Sequence, residues 1–152
     1  GEMLSMTFEN TMVIRTSWLY SAYGNNFMRT IMRYAHERPE LRVVFDQTGT
    51  PTLANDLALA ILQIAHSPEK YFVPEIFHFS NQGVCSWFDF AIEIVKLAGL
   101  NTKIVPVTTN EYPTKAIRPQ YSVLNKQKIS NLLKIDIPHW RESLVKCLQY
   151  NI

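Results

Sequence analysis

Short apolar runs alternate along the chain with longer segments whose apolar residues recur every three or four positions. Thr11-Met12-Val13-Ile14-Arg15 predicts a short buried strand, followed by Thr16-Ser17-Trp18-Leu19-Tyr20. After a polar break at Tyr23-Gly24-Asn25-Asn26, a helix is predicted from Asn26. Phe27, Ile31, Tyr34 and Ala35 fall on one face, Arg29, Arg33 and Glu37 lie elsewhere, and Pro39 stops it. Residues 41–45 predict a second strand, closed by the turn-rich Asp46-Gln47-Thr48-Gly49-Thr50-Pro51. Residues 53–66 are apolar apart from Asn55, Asp56, Gln63 and the terminal His66, and that length favours a buried helix, closed by Ser67-Pro68. Residues 76–79 predict a third strand. Ser86 and Asp89 have the spacing of a helix-start capping pair. The helix they open puts Trp87, Phe90, Ala91, Ile94 and Leu97 on one stripe and ends at Gly99. Residues 103–107 predict a fourth strand. Residues 108–119, with Pro113 and Pro119, predict little regular structure. Pro138 suits the first turn of a last helix, in which Trp140, Leu144 and Leu148 are spaced by four. Strands alternating with helices predict an α/β fold. The first ten residues read as a helix feeding the first strand.

Composition agrees with a packed fold. Of 152 residues, 47% are apolar and 18% charged, one domain's worth of globular sequence. No apolar run approaches the ~18 residues of a membrane span, and Gly1-Glu2-Met3-Leu4-Ser5 lacks the basic start and apolar run expected of a signal peptide. Cys85 and Cys147 are too few for a disulfide framework, so both are expected as reduced core thiols of a cytoplasmic protein. The net charge of +2 gives no reason to expect nucleic acid. Residues 103–152 carry eight Lys and Arg against three acids, whereas residues 1–102 carry seven against ten. A basic C-terminal third could attract an anionic ligand such as a diphosphate, and a solvated basic face would look the same.

Known catalytic signatures are missing. The five glycines, Gly1, Gly24, Gly49, Gly83 and Gly99, are too dispersed for a phosphate-cradling loop. His36, His66, His78 and His139 make no i,i+4 pair, and there is no Cys-x-x-Cys, so a zinc site built on a local motif is not expected. Neither Gly-x-Ser-x-Gly nor Tyr-x-x-x-Lys occurs.

A set of blocks nonetheless has a recognisable order and spacing. Arg15-Thr16-Ser17-Trp18-Leu19-Tyr20 is followed by Gly24-Asn25-Asn26-Phe27, by Asp46-Gln47-Thr48-Gly49-Thr50-Pro51-Thr52, and by His78-Phe79-Ser80-Asn81-Gln82-Gly83 with Ser86-Trp87. Glu111-Tyr112-Pro113, the run from Ala116 to Leu124, and Pro138-His139-Trp140 complete it. In these blocks the chain resembles the dTDP-4-dehydrorhamnose reductases of the extended short-chain dehydrogenase/reductase superfamily, over nearly all 152 residues. The resemblance implies the C-terminal part of a Rossmann-type NAD(P)-binding fold plus a small α/β substrate-binding domain. Residues 1–70 would interleave the end of the Rossmann sheet with substrate-domain segments. Residues 71–152 would be mainly the sugar-nucleotide domain. In the family, the glycine-rich loop and the catalytic Thr, Tyr and Lys lie upstream, and Gly1-Glu2 resembles the pair just after the Tyr-x-x-x-Lys. The implied reaction is NADPH-dependent reduction of a 4-keto sugar on a thymidine diphosphate carrier. A phenol of lowered pKa protonates the oxygen, and this chain positions the substrate. A non-catalytic regulatory subunit on the same fold, like that of methionine adenosyltransferase, and another nucleotide-sugar reductase or epimerase are the alternatives.

The resemblance also nominates residues. Trp18, just past a strand end, would wall the sugar or nicotinamide, and Thr16 and Ser17 would lie near the nicotinamide. Asn25, Asn26 and Phe27 open a helix, where the amides could bond a base or sugar or simply cap the helix. Gln47 and Thr52 would read sugar or base edges, or shape the turn. Arg118 would grip the diphosphate with its guanidinium fork. His78, Trp87, Trp140 and the cysteines read as core. Some relatives dimerise through Mg2+ held by a glutamate that corresponds to Asn55, a neutral and weaker ligand, which weakens the case for Mg2+ and a metal-linked dimer here and leaves a homodimer open.

Overall fold

A computed structural model describes residues 1–114 and 116–149. The fold is α/β, as the alternating pattern predicts. In chain order the elements are α1 (Glu2–Ser5), β1 (Val13–Arg15), β2 (Leu19–Tyr20), α2 (Phe27–Glu37), β3 (Glu40–Val44), β4 (Thr48–Gly49) and β5 (Thr52–Leu53). Then come α3 (Ala54–His66), α4 (Pro68–Tyr71), β6 (Ile76–His78), β7 (Cys85–Ser86), α5 (Trp87–Leu97), β8 (Lys103–Val107), a 3-10 turn (Thr109–Glu111), α6 (Gln127–Leu133) and α7 (Trp140–Gln149). Among the described residues the strands pair two by two. β1 runs parallel to β6, β2 to β5 and β3 to β8, while β4 and β7 are antiparallel.

Two apolar cores form. One gathers Tyr20, Met28, Ile31, Leu41, Val43, Phe90, Ile94, Trp140 and Leu144 where α2, α5 and α7 pack with β3. The other gathers Ala60, Ile64, Phe77, Phe79, Ile129, Leu133 and Ile137 between α3, α6 and β6. Residues 77–79 and 129–137 join α3 in the second core, while α5 and α7 belong to the first. The chain crosses between the cores repeatedly, so each is built from distant segments.

A buried polar node lies where the cores meet. Asn81, fully buried, accepts a hydrogen bond from Leu53 N (2.8 Å) through Oδ1. Its Nδ2 donates to Asp56 Oδ2 (2.6 Å), Ser143 Oγ (3.0 Å) and the Pro138 carbonyl (3.2 Å), and Ser143 Oγ donates to Asp56 (2.6 Å). These bonds fix the starts of α3 and α7 relative to the end of β6, satisfying polar groups that burial would otherwise penalise.

Some expectations need correction. α7 begins at Trp140, and Pro138 stays outside it, where its carbonyl accepts from Asn81 and from Gln82 N. Leu97 is 37% exposed, because α5 buries Phe90, Ala91, Ile94 and Val95 instead. The segment after β8 carries a 3-10 turn closed by a capping box between Thr108 and Glu111. α4 and α6 are additional, and α6 stops at Lys134, whose backbone is left-handed (φ 54°). No helix among the described residues is long and apolar enough to cross a membrane.

Candidate functional site

A cleft of about 630 Å3 runs along α2, from Phe27 to Arg38, and along β3, from Glu40 to Val44. Phe27, Thr30, Ile31, Tyr34, Gln47, Trp87, Tyr112, Thr114 and Arg118 line it, with Arg38, Arg42, one acidic residue, Glu40, and the apolar Leu41, Val43 and Val44. Aromatic faces and guanidinium groups thus share one concave surface, a composition suited to a flat ring attached to an anion.

Local chemistry explains why α2 starts at this edge. Asn26 Oδ1 accepts from Arg29 N (3.1 Å), and Asn26 Nδ2 donates to the carbonyls of Ser21 (2.9 Å) and Tyr23 (3.1 Å). The Asn26 amide is therefore engaged in capping, which leaves Phe27, the first helical residue, to face the cleft. Gly24 supplies the left-handed turn before it (φ 70°). Asn25 is exposed and is not among the lining residues.

A second clasp holds the opposite wall. Asp46 accepts from Thr109 N (2.9 Å and 3.0 Å) and from Thr109 Oγ1 (2.8 Å). These bonds favour the charged form and hold the Asp46 carboxyl below its usual range. Gln47, 6% exposed, donates from Nε2 to the same Thr109 Oγ1 (3.1 Å). Bonds from Thr108 hold the Glu111 carboxyl low in the same way, and Arg42 lies 3.7 Å from it. Together they fasten the turn from Thr108 to Glu111, which leads into Tyr112, beside the end of β3.

Trp18 sits one layer behind the wall. Its ring stacks on Trp87 (centroids 3.6 Å apart, planes 10° apart), and Trp87 meets Phe27 at 4.6 Å. Ser17 Oγ donates to the Thr50 carbonyl (2.9 Å), and Thr16 is exposed. Thr52 is fully buried in β5, and its hydroxyl has no hydrogen-bond partner among the described residues. It lies inside the fold rather than in the cleft wall. The structure thus brings Phe27, Gln47 and Arg118 into one cleft, places Trp18 behind it, and leaves Asn25 and Thr52 out of its wall.

Sequence reasoning missed Trp87, Tyr34, Arg38 and Arg42. Trp87 and Tyr34 occupy positions that also fit an apolar helix face. Arg38 stacks on Tyr34 (4.5 Å to the ring centroid). Arg42 occupies an outward position of a strand whose alternate residues Leu41 and Val43 are buried. That alternation was the one legible signal.

The described residues do not form a dinucleotide cradle. Their glycines are isolated, and Ser17 is bonded to Thr50. Nor do three or more His, Cys, Asp or Glu side chains gather as a metal site among the described residues. Asn55 is exposed on α3.

The chain matches the RmlD substrate binding domain over residues 1–151. It is 44% identical to the spore coat polysaccharide biosynthesis protein SpsK of Bacillus subtilis, over 97% of this chain and 50% of that protein. It is 39% identical to the dTDP-4-dehydrorhamnose reductase of Aggregatibacter actinomycetemcomitans, over 99% of this chain and 54% of that protein. The crystal structure of dTDP-4-dehydrorhamnose reductase from Bacillus anthracis in complex with NADP superimposes with a TM-score of 0.85. It is 36% identical and covers 94% of this chain and 49% of that one. The chain spans about half the length of these relatives.

Proposed function

Because the chain belongs to the RmlD substrate binding domain family, we propose that it supplies the substrate-binding portion of an NADPH-dependent reductase. That reductase would convert dTDP-4-dehydro-L-rhamnose to dTDP-L-rhamnose for polysaccharide synthesis. The observation carrying this reading is the convergence of Arg118, Arg42 and Arg38 with buried Gln47 and an aromatic wall on one cleft. A nucleoside diphosphate sugar has matching parts: a flat base and a pentose on one side of a doubly charged diphosphate and a hexose on the other.

In the parent reaction, bound NADPH would supply the hydride that reduces the C4 carbonyl. These residues would do the rest of the positioning. Arg118 meets the diphosphate oxygens through its fork. Gln47 has spent its Nε2 on Thr109, so Oε1 is left to accept from a ring N–H or sugar hydroxyl. Phe27 and Trp87 shelter the apolar ring faces and keep water from them. Fixing the sugar this way converts a bimolecular encounter into an oriented one. The 152 residues hold neither Tyr-x-x-x-Lys nor clustered glycines, so the chain by itself is expected to bind without turning over NADPH.

Arg118→Ala in the full-length parent tests the reading. Loss of a charge-assisted contact of about 1.5–3 kcal/mol raises KM for the keto sugar roughly 10- to 150-fold. An unchanged KM removes Arg118 from the site and the reading with it.

A further inference from the structure

Gln47 lines the cleft, and its amide has two ways to sit in the wall. The oxygen and nitrogen branches have nearly the same shape, so packing alone does not choose which of them faces a ligand. Asp46 and Thr109 make the choice. Thr109 Oγ1 donates to Asp46 Oδ1 (2.8 Å), and Thr109 N donates to both oxygens of the same carboxylate (2.9 and 3.0 Å). A carboxylate accepts and cannot donate, so the single hydroxyl proton of Thr109 is committed to Asp46. The Thr109 oxygen can then only accept, and it accepts from Gln47 Nε2 (3.1 Å). Gln47 Oε1, the opposite branch of the planar amide, has no hydrogen-bond partner among the described residues. It is not sealed away, although the residue as a whole is withdrawn from water. The charge of Asp46 therefore decides, through Thr109, that the cleft is offered an acceptor.

We propose that Asp46 and Thr109 are positioning residues that fix the polarity of the Gln47 amide, and that they thereby select a base with a ring N–H, such as thymine, over one with a bare ring nitrogen, such as cytosine. This rests on the reading of the cleft as a sugar-nucleotide site. A sugar hydroxyl donates or accepts as required, so an amide of fixed polarity cannot discriminate among hydroxyls. It does discriminate at N3 of a pyrimidine, which carries a proton in thymine and a lone pair in cytosine. Oε1 accepts from the first and is opposed by the second. The mismatch is costly because Gln47 is buried, and water cannot step in to relieve it. Without the committed hydroxyl proton, Thr109 could donate to Oε1 instead, and the amide would be free to turn its nitrogen to the cleft.

The test is calorimetric titration of the chain with dTDP and, separately, with dCDP, which share the deoxyribose and the diphosphate and differ in the base. The unsubstituted chain is expected to bind dTDP about ten- to a hundredfold more tightly. Thr109→Val keeps the side-chain shape and the backbone N–H to Asp46 but removes the hydroxyl. The preference then falls to within about threefold, through weaker dTDP and unchanged or stronger dCDP. Thr109→Ser returns the hydroxyl and with it the preference. Asp46→Asn, whose amide can itself donate to Thr109, lowers the preference in the same way. If Thr109→Val fails to fold, Asp46→Asn carries the positioning test. Equal weakening of both nucleotides by these variants would mean that the two residues only shape the wall, and would overturn the proposal. Failure of the unsubstituted chain to bind dTDP would overturn the cleft reading and this inference together. Binding of dTDP with no preference over dCDP, or a preference that neither Thr109→Val nor Asp46→Asn moves, would overturn this inference alone.

Discussion

Asn81→Leu removes the buried polar node while nearly keeping side-chain volume, so its effect isolates the hydrogen bonds. Three bonds are lost to neutral partners, Leu53 N, the Pro138 carbonyl and Ser143 Oγ, and one to the Asp56 carboxylate. Neutral bonds contribute about 1 kcal/mol each and a charged one about 1.5–3 kcal/mol. The four act as a network and do not simply add. A loss of about 3–5 kcal/mol is expected, a large part of the roughly 5–15 kcal/mol that stabilises a whole domain. At about 2–4 °C per kcal/mol, Tm falls roughly 6–20 °C. Urea unfolding followed by far-ultraviolet circular dichroism gives the free energy from a lowered midpoint at unchanged slope. Ser143→Ala added to Asn81→Leu costs less than the two singly, because they share Asp56. A loss below about 1 kcal/mol would refute the idea that this node joins the two cores.

Two other perturbations have clear signs. Gly83 has a φ of 87°, and a Cβ there would overlap the His139 ring and stand 2.8 Å from Trp140 Cδ1. Gly83→Ala therefore destabilises the chain by more than about 2 kcal/mol, read from the same urea curves; a smaller change would mean that the start of α7 yields easily. Burial pushes the Cys85 thiol up to about 12 and the Cys147 thiol up to about 11, and raises the Tyr20 phenol as well. These groups keep their protons in the fold after the unfolded chain has lost its own. Stability is therefore intact below the ordinary thiol pKa near 9 and falls as pH climbs from there through 11 to 12. Flat stability from pH 8.5 to 11, or rapid thiol labelling of the native chain at pH 8, would contradict this burial.

Much of the architecture was legible because its local signals agree with its tertiary contacts. The strand at residues 103–107 coincides with β8, and the Ser86–Asp89 pair does cap α5, with Ser86 Oγ accepting from Asp89 N at 3.0 Å. α6 escaped notice because seven residues with only Ile129 and Leu133 buried carry little periodic signal. The four strand pairs are two to five residues long and join segments far apart in sequence, which no local pattern encodes. Within the cleft, Arg118 and Phe27 were readable from their residue types and their family-like blocks. Trp87 was not, because a tryptophan on an apolar helix face looks the same whether its exposed edge meets a ligand or another side chain. Thr52 illustrates the reverse: a hydroxyl at a predicted turn is fully buried once β5 pairs with β2.

The central claim is that these residues alone shape a pocket for a sugar carried on a nucleoside diphosphate. Titrating the purified chain with dTDP-L-rhamnose in a calorimeter tests it most directly. Saturable one-to-one heat is predicted, displaced by dTDP and weakened by added salt as the guanidinium contacts are screened. A flat titration with a chain shown to be folded would contradict the account.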